Sequence, residues 1–247
     1  MKLKDRVALV TGASRGLGRA MALAFAAEGA DVAVSARSAG ALDELAGKIG
    51  AMGRAAYPVA ADLGEETEIA RLAAAVLERF GRVDILVNNA AIIHPRADLV
   101  DFDPALWRAV IDVNLIAPAL LIKAVLPSMI KRRSGKIINI SSIGGRRGGA
   151  GRTAYRATKA ALISLTESVA AEVRAHGIDV NCICPGGVDT EGFRAAFGGR
   201  GRDDDPTLMR PEEIADVAVF LASDASTAIT GTAIDAFGGS NPLFKSR

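Results

Sequence analysis

Thr11-Gly12-Ala13-Ser14-Arg15-Gly16-Leu17-Gly18 closes the chain's first apolar run, Arg6–Thr11, and opens a helical run, Gly16–Glu28. Glycines at such a junction let the backbone turn tightly and approach a pyrophosphate. The helix that follows aims its unpaired N–H groups and positive dipole end at that anion. The spacing is Gly-x3-Gly-x-Gly rather than the commoner Gly-x-Gly-x-x-Gly. A strand-to-helix turn without a ligand is the other reading of the same glycines.

Outward from this stretch, strand and helix alternate almost to the end. Strands are expected at Asp31–Ala36, Ala55–Ala61, Asp84–Asn88, Lys136–Ser141, Asp179–Ile183 and near Thr232–Ala236. Helices are expected at Ala39–Met52, Glu65–Phe80, Pro104–Arg132, Thr153–Ala175 and Pro211–Ser223. Seven strands with intervening helices predict an α/β fold with a parallel, doubly wound sheet. The strands are apolar on both faces, as covered strands are. No internal repeat, low-complexity segment or linker divides the chain, so residues 1–247 are read as one domain.

Composition narrows the function classes. Half of the 247 residues are apolar, enough for a sizeable core, and the formal charge of +2 does not suggest a nucleic-acid binder. No uninterrupted apolar run reaches the roughly 18 residues of a membrane span, and Met1–Arg6 leaves no room for a signal peptide. A soluble, cytoplasmic protein is expected. Cys182 and Cys184 are the only cysteines. Strand alternation places them on one face, as reduced core residues. His94 and His176 lack a metal-ligand pattern, so neither is assigned to a metal. His94 is taken as a loop residue rather than a pocket wall.

The strand ends carry the candidate chemistry. Ser35-Ala36-Arg37-Ser38 has no carboxylate to favour the ribose hydroxyls of NAD. Arg37 and Arg15 instead suit a 2′-phosphate, so NADP(H) is favoured over NAD(H), with two solvated arginines as the alternative. Asp62-Leu63 could meet an adenine edge, or Asp62 could serve a turn or cap. Asn88-Asn89-Ala90-Ala91 follows strand four, where small residues let a nucleotide pass close. Asn114 sits mid-helix, a poor place for Asn unless it is functional or solvated. Ser142, at the tip of strand five, could donate to a carbonyl oxygen. Tyr155 and Lys159 share one helix face, and an ammonium one turn away is expected to lower the phenol's pKa from about 10 towards the working range.

Together, Thr11–Gly18, Asn88–Ala91, Asn114, Ser142, Tyr155-x3-Lys159 and Pro185-Gly186-Gly187-Val188-Asp189-Thr190 resemble the short-chain dehydrogenase/reductase family in order and spacing, across essentially the whole chain. The resemblance implies a single Rossmann-type catalytic domain and NAD(P)-dependent hydride transfer between CH–OH and C=O groups. By that resemblance Tyr155 is the acid/base, and Lys159 holds the nicotinamide ribose and depresses the tyrosine pKa. Ser142 polarises the carbonyl, and Asn114 holds a water leading from Lys159. Gly12, Ser14, Arg15, Gly16, Leu17 and Gly18 line the pyrophosphate, and Asn89, Ala90 and Ala91 lie by the adenosine half. Pro185, Gly186, Val188 and Thr190 run beside the nicotinamide. Residues 190–210 form a substrate lid, expected to be mobile without ligand, and the assembly is a homotetramer. Two positions depart from the family pattern: Ala91 stands where Gly is usual, and Phe237-Gly238-Gly239 stands for Asp-Gly-Gly.

The pattern is nearest to 3-oxoacyl-carrier-protein reductases and to sugar, polyol or alcohol dehydrogenases. Lys131-Arg132-Arg133 could serve an acidic carrier protein or simply complement the helix dipole. Arg146, Arg147 and Arg152, with the lid residues Arg194, Arg200 and Arg202, could favour an anionic substrate, although solvated loops are the preferred reading. A catalytically silent dinucleotide-binding regulator is the competing class.

Overall fold

The computed structural model describes residues 1–199 and 201–241, so Arg200 of the expected lid lies outside the described residues. Seven parallel strands form one sheet in the order β3-β2-β1-β4-β5-β6-β7. They are β1 (Val7–Thr11), β2 (Asp31–Ala36), β3 (Ala56–Ala60), β4 (Ile85–Asn88), β5 (Gly135–Ile140), β6 (Ile178–Pro185) and β7 (Ala233–Ala236). The helices are α1 (Gly16–Ala27), α2 (Ala39–Ala51), α3 (Glu66–Phe80), α4 (Pro104–Ile111), α5 (Ala117–Arg132), α6 (Ile143–Arg146), α7 (Thr153–Val173), α8 (Glu191–Ala196) and α9 (Pro211–Ala222).

Strand alternation explains the two cores. Ala8 and Val10 of β1 face Met21, Phe25, Leu42, Leu45 and Ile214, contributed by α1, α2 and α9. Leu9 faces the other way, toward Leu72, Val76, Leu121, Val125 and Val169 of α3, α5 and α7. Helices thus cover both faces, which is why the strands are mostly apolar on both. Strand order reverses between β1 and β4, which pair through Ala8–Ile85, Leu9–Leu86 and Val10–Val87. The crevice beyond the carboxyl ends of these strands is where such sheets bind ligands.

Two details differ from the sequence reading. The long helix is not uniform: α4 passes into a π-helical turn, Asp112–Ile116, before α5 resumes. Apolar periodicity does not register one wider turn. The combined run Pro104–Arg132 is also long and apolar enough to cross a membrane by length and composition alone. That was not anticipated, because isolated charges such as Lys123 interrupt the run without dominating its average. In the fold, Leu121, Ile122, Val125 and Met129 of this run pack into the sheet's core. Cys182 and Cys184 are buried free thiols on one face of β6, as alternation implied.

Candidate active site

The glycine turn is built by close approach. Gly12 and Gly16 adopt φ of 64° and 53°, conformations that side chains disfavour. A Cβ on Gly18 would run into the carbonyl oxygen of Gly12 and stand 2.5 Å from Asn89 Nδ2. Asn89 Nδ2 donates to Thr11 O at 2.8 Å, and Thr11 Oγ1 accepts from the backbone N–H groups of Asn89 and Ala90 at 3.0 and 3.1 Å. Thr11 and Asn89 therefore staple β1 to the loop after β4. Ala91 is exposed on that loop.

The start of α1 lacks a protein cap. Arg15 at its N-cap makes no side-chain capping bond, and the first turn carries no acid. Free N–H groups there suit an anionic pyrophosphate. Arg15 and Arg37 are exposed and, among the described residues, form no ion pair. Asp62 is exposed too, and its Oδ1 accepts from Gly64 N at 3.0 Å, so the turn reading holds for that oxygen. Leu63 belongs to the core. Gly186 N is tied to Ala236 O at 2.9 Å, and Val188 bridges to Met209. Thr190 Oγ1 accepts from Phe193 N at 3.0 Å and so caps α8.

Beyond the end of β5, Ser142, Tyr155 and Arg156 converge around Gly144. A Cβ at that glycine would lie 3.4 Å from Ser142 Oγ, 3.7 Å from Tyr155 Cε1 and 3.3 Å from Arg156 Cγ. Ser142 Oγ accepts from Gly144 N at 3.0 Å and interacts with the Tyr155 phenol. Lys159 is buried, and its Nζ donates to Ile140 O at 2.7 Å, 5.7 Å from the Tyr155 ring centre. Burial pushes the Lys159 ammonium down to about 8, with the Cys182 and Cys184 thiols acting against it.

The Tyr155 phenol behaves differently from the expectation. Burial raises its pKa, while the Ser142 hydrogen bond and the Arg152 and Arg156 guanidiniums pull the other way. Spacing alone put an ammonium on the same face. In the fold that ammonium is turned to the end of β5, and desolvation of the phenolate dominates.

Asn114 lies in the π-helical turn and is fully buried. Its Oδ1 accepts from Ile92 N at 2.8 Å, and its Nδ2 donates to Ile92 O at 3.1 Å and Thr158 Oγ1 at 3.2 Å. Both amide hydrogens are used, so only the second lone pair of Oδ1 remains for a water. Wider turns of this kind frequently mark functional sites.

Two residues read in sequence as ordinary loop positions are buried. His94 is 1% exposed. Its Nδ1 donates to Pro95 O at 2.6 Å, which leaves Nε2 to accept from Tyr155 N at 3.4 Å, and its ring meets Phe102 edge-on at 4.6 Å. It caps the first turn of the helix carrying Tyr155 and is no plain loop residue. Arg152 is 4% exposed and binds the carbonyls of His94 and Ala196. No local pattern marks either contact, because each partner is more than 40 residues away.

Residues 6–199 match the family described as short chain dehydrogenase. The chain belongs to the short-chain dehydrogenase family. It is 40% identical to a 3-oxoacyl-[acyl-carrier-protein] reductase of Synechocystis over 96% of this chain and 97% of that one. A Brucella melitensis 3-ketoacyl-(acyl-carrier-protein) reductase complexed with NADH superposes with a TM-score of 0.89 at 33% identity, covering 96% of this chain and 99% of that one. A Beutenbergia cavernae protein, provisionally described as an NAD(P)-dependent gluconate 5-dehydrogenase and holding NADP at low occupancy, gives 0.89 at 36% identity over 97% and 98%. As a short-chain dehydrogenase the protein is an oxidoreductase acting on CH–OH and C=O groups with NAD(P)(H). The uncapped start of α1 and the close glycine packing fit such a dinucleotide.

Proposed function

We propose that the protein is an NADP(H)-dependent reductase that converts a carbonyl to a secondary alcohol, and the reverse, with Tyr155 as the acid/base. The observation carrying this reading is the gathering of Ser142 and Tyr155 beside buried Lys159 at the carboxyl end of β5, on the same sheet edge as the uncapped start of α1 that follows β1. When bound, the reduced nicotinamide supplies a hydride to the carbonyl carbon. Ser142 and Tyr155 donate hydrogen bonds to the carbonyl oxygen, where negative charge develops, and Tyr155 releases its proton to that oxygen. A phenol kept protonated by burial suits the role of acid. Lys159 holds the nicotinamide ribose in this reading, and Asn114 ties the loop at Ile92 to the helix at Thr158.

Gly12, Ser14, Arg15, Gly16, Leu17 and Gly18 hold the pyrophosphate side in this reading. Asn89 and Ala90 flank the adenosine half, and Pro185, Gly186, Val188 and Thr190 the nicotinamide half. The unpaired Arg15 and Arg37 support NADP(H) over NAD(H). Residues 190–210 act as the lid. They contain α8, fastened by an ion pair between Arg194 Nε and Asp189 at 2.7 Å. The working form is a cytoplasmic homotetramer.

A 3-oxoacyl thioester is a substrate class to test, given the Synechocystis relative. The basic run offers it little support: Arg132 Nη2 is tied to Val83 O at 2.7 Å and Arg133 Nη2 to Ala175 O at 2.8 Å. Two of its three charges are held by backbone carbonyls of neighbouring segments instead. The test follows oxidation of NADPH and of NADH against 3-oxoacyl thioesters, keto-sugars, diketones and oxo acids. Turnover with preference for NADPH supports the proposal. Tight NADPH binding without turnover of any carbonyl would favour the silent regulator.

A further inference from the structure

The arginines around Tyr155 divide sharply by partner. Arg146 Nε pairs with Asp235 at 2.7 Å, Arg194 with Asp189, and Arg202 with Glu213 at 3.7 Å. Arg96, Arg152 and Arg156 have only backbone carbonyls. Arg96 reaches Ala150 O at 3.4 Å, and Arg156 reaches Arg147 O at 2.9 Å and Gly148 O at 3.2 Å. Arg152 reaches His94 O and, at 2.5 Å, Ala196 O. Among the described residues none of the three lies within 4 Å of a carboxylate.

Arg152 is the decisive one. It is 4% exposed, its Nε has no hydrogen-bond partner, and neither has the buried Nε of Arg156. A buried guanidinium without a counter-ion is strongly unfavourable, and like charges close by make it worse. Arg152 experiences that repulsion from both Arg96 and Arg156. Two of its five N–H groups are used, so three remain to be offered to an acceptor. Its position is equally specific: it is the N-cap residue of α7, three residues before Tyr155, and its guanidinium stacks on Phe197 at 4.8 Å beneath the lid.

We propose that Arg152, flanked by Arg96 and Arg156, forms an anion subsite beside Tyr155 that selects substrates bearing a free carboxylate, namely oxo acids and hydroxy acids, over neutral carbonyl compounds. The proposal rests on Tyr155 being the reaction centre, and it narrows the substrate class to free acids rather than thioesters. A carboxylate suits the flat donor edge of a guanidinium and supplies the missing charge.

Two measurements test it. The first compares kcat/KM for 4-oxocyclohexanecarboxylate and its carboxamide, in the wild type and in Arg152→Gln. The acid-to-amide ratio is expected to exceed one in the wild type and to fall about 30-fold in the variant, mainly through KM, as expected when one partner of a buried charge pair is removed. Arg152→Lys, which keeps the charge but not the flat donor edge, should keep part of the ratio, and Arg96→Gln, at an exposed position, should lower it less than Arg152→Gln. The second needs no turnover: cyclohexanecarboxylate should raise the thermal midpoint of the wild type, cyclohexanecarboxamide should not, and Arg152→Gln should abolish the difference. A ratio unchanged by Arg152→Gln, or equal stabilisation by acid and amide, overturns the anion subsite and leaves Arg152 as a strap between lid and helix. Carboxylate-specific stabilisation without any coenzyme oxidation would keep the subsite and refute the reductase reading instead.

Discussion

Replacing Lys159 with Met should make the protein more stable at pH 7 while abolishing turnover. Lys159 is 2% exposed, and burial lowers its pKa from 10.5 to about 8. Each unit of pKa corresponds to ~1.4 kcal/mol, so holding the ammonium protonated at neutral pH destabilises the fold by about 3 kcal/mol. Met fills a similar volume without charge. It forfeits the hydrogen bond to Ile140 O, which costs about 1 kcal/mol. The net gain is roughly 2 kcal/mol, or about 4–8 °C in thermal midpoint for a chain of this size. The sign with pH follows from the depressed pKa. Between about 8 and 10.5 the folded state holds fewer protons at this site than the unfolded chain. Wild-type stability therefore rises with pH through that window, and the variant's advantage shrinks there. The assay is thermal unfolding of both proteins, without coenzyme and at one protein concentration, at half-unit steps from pH 7 to 9.5. A variant less stable than the wild type at pH 7, or an advantage that stays flat across the range, would refute the reasoning.

Three further substitutions probe the coenzyme side. Arg37→Asp should lower the NADPH-to-NADH ratio of kcat/KM by roughly 30- to 100-fold, since it replaces an attractive charge by a repulsive one at the 2′-phosphate; steady-state kinetics with both coenzymes measures it. Gly18→Ala sets a Cβ against Gly12 O and Asn89 Nδ2, so the turn must shift; NADPH affinity by fluorescence titration should weaken at least tenfold. Gly47→Ala, in a helix with nothing within 4 Å of the new Cβ, should stabilise the protein by about 0.5–1 kcal/mol in urea unfolding and leave coenzyme affinity alone.

The parts of the molecule legible in its sequence are those dictated by local geometry. A tight turn that admits no Cβ must be written in glycine, so Gly12, Gly16 and Gly18 identify the turn after β1. A spacing of four puts Tyr155 and Lys159 on one helix face, and alternation puts Cys182 and Cys184 on one strand face. What spacing does not carry is direction and dielectric. Lys159 points to Ile140 rather than to the phenol, so Tyr155 rises where a fall was expected. The π-helical turn at Asn114 was invisible as geometry, although an Asn in mid-helix was its trace. His94 and Arg152 were illegible because what defines them is a distant partner: Tyr155 N for one, and for the other the carbonyls of His94 and Ala196 together with the lack of a carboxylate. Charged residues before Tyr155 looked alike in sequence, and only packing separated the paired Arg146 from the unpaired Arg152.

The most direct test of the central claim compares the wild type with Tyr155→Phe. Phenylalanine keeps the ring against Gly144 and removes only the oxygen. NADPH affinity, measured by titration, should stay within about threefold, and NADPH oxidation with any carbonyl the wild type reduces should fall by at least about 100-fold, the scale of a lost general acid. Turnover by Tyr155→Phe close to that of the wild type would contradict the account.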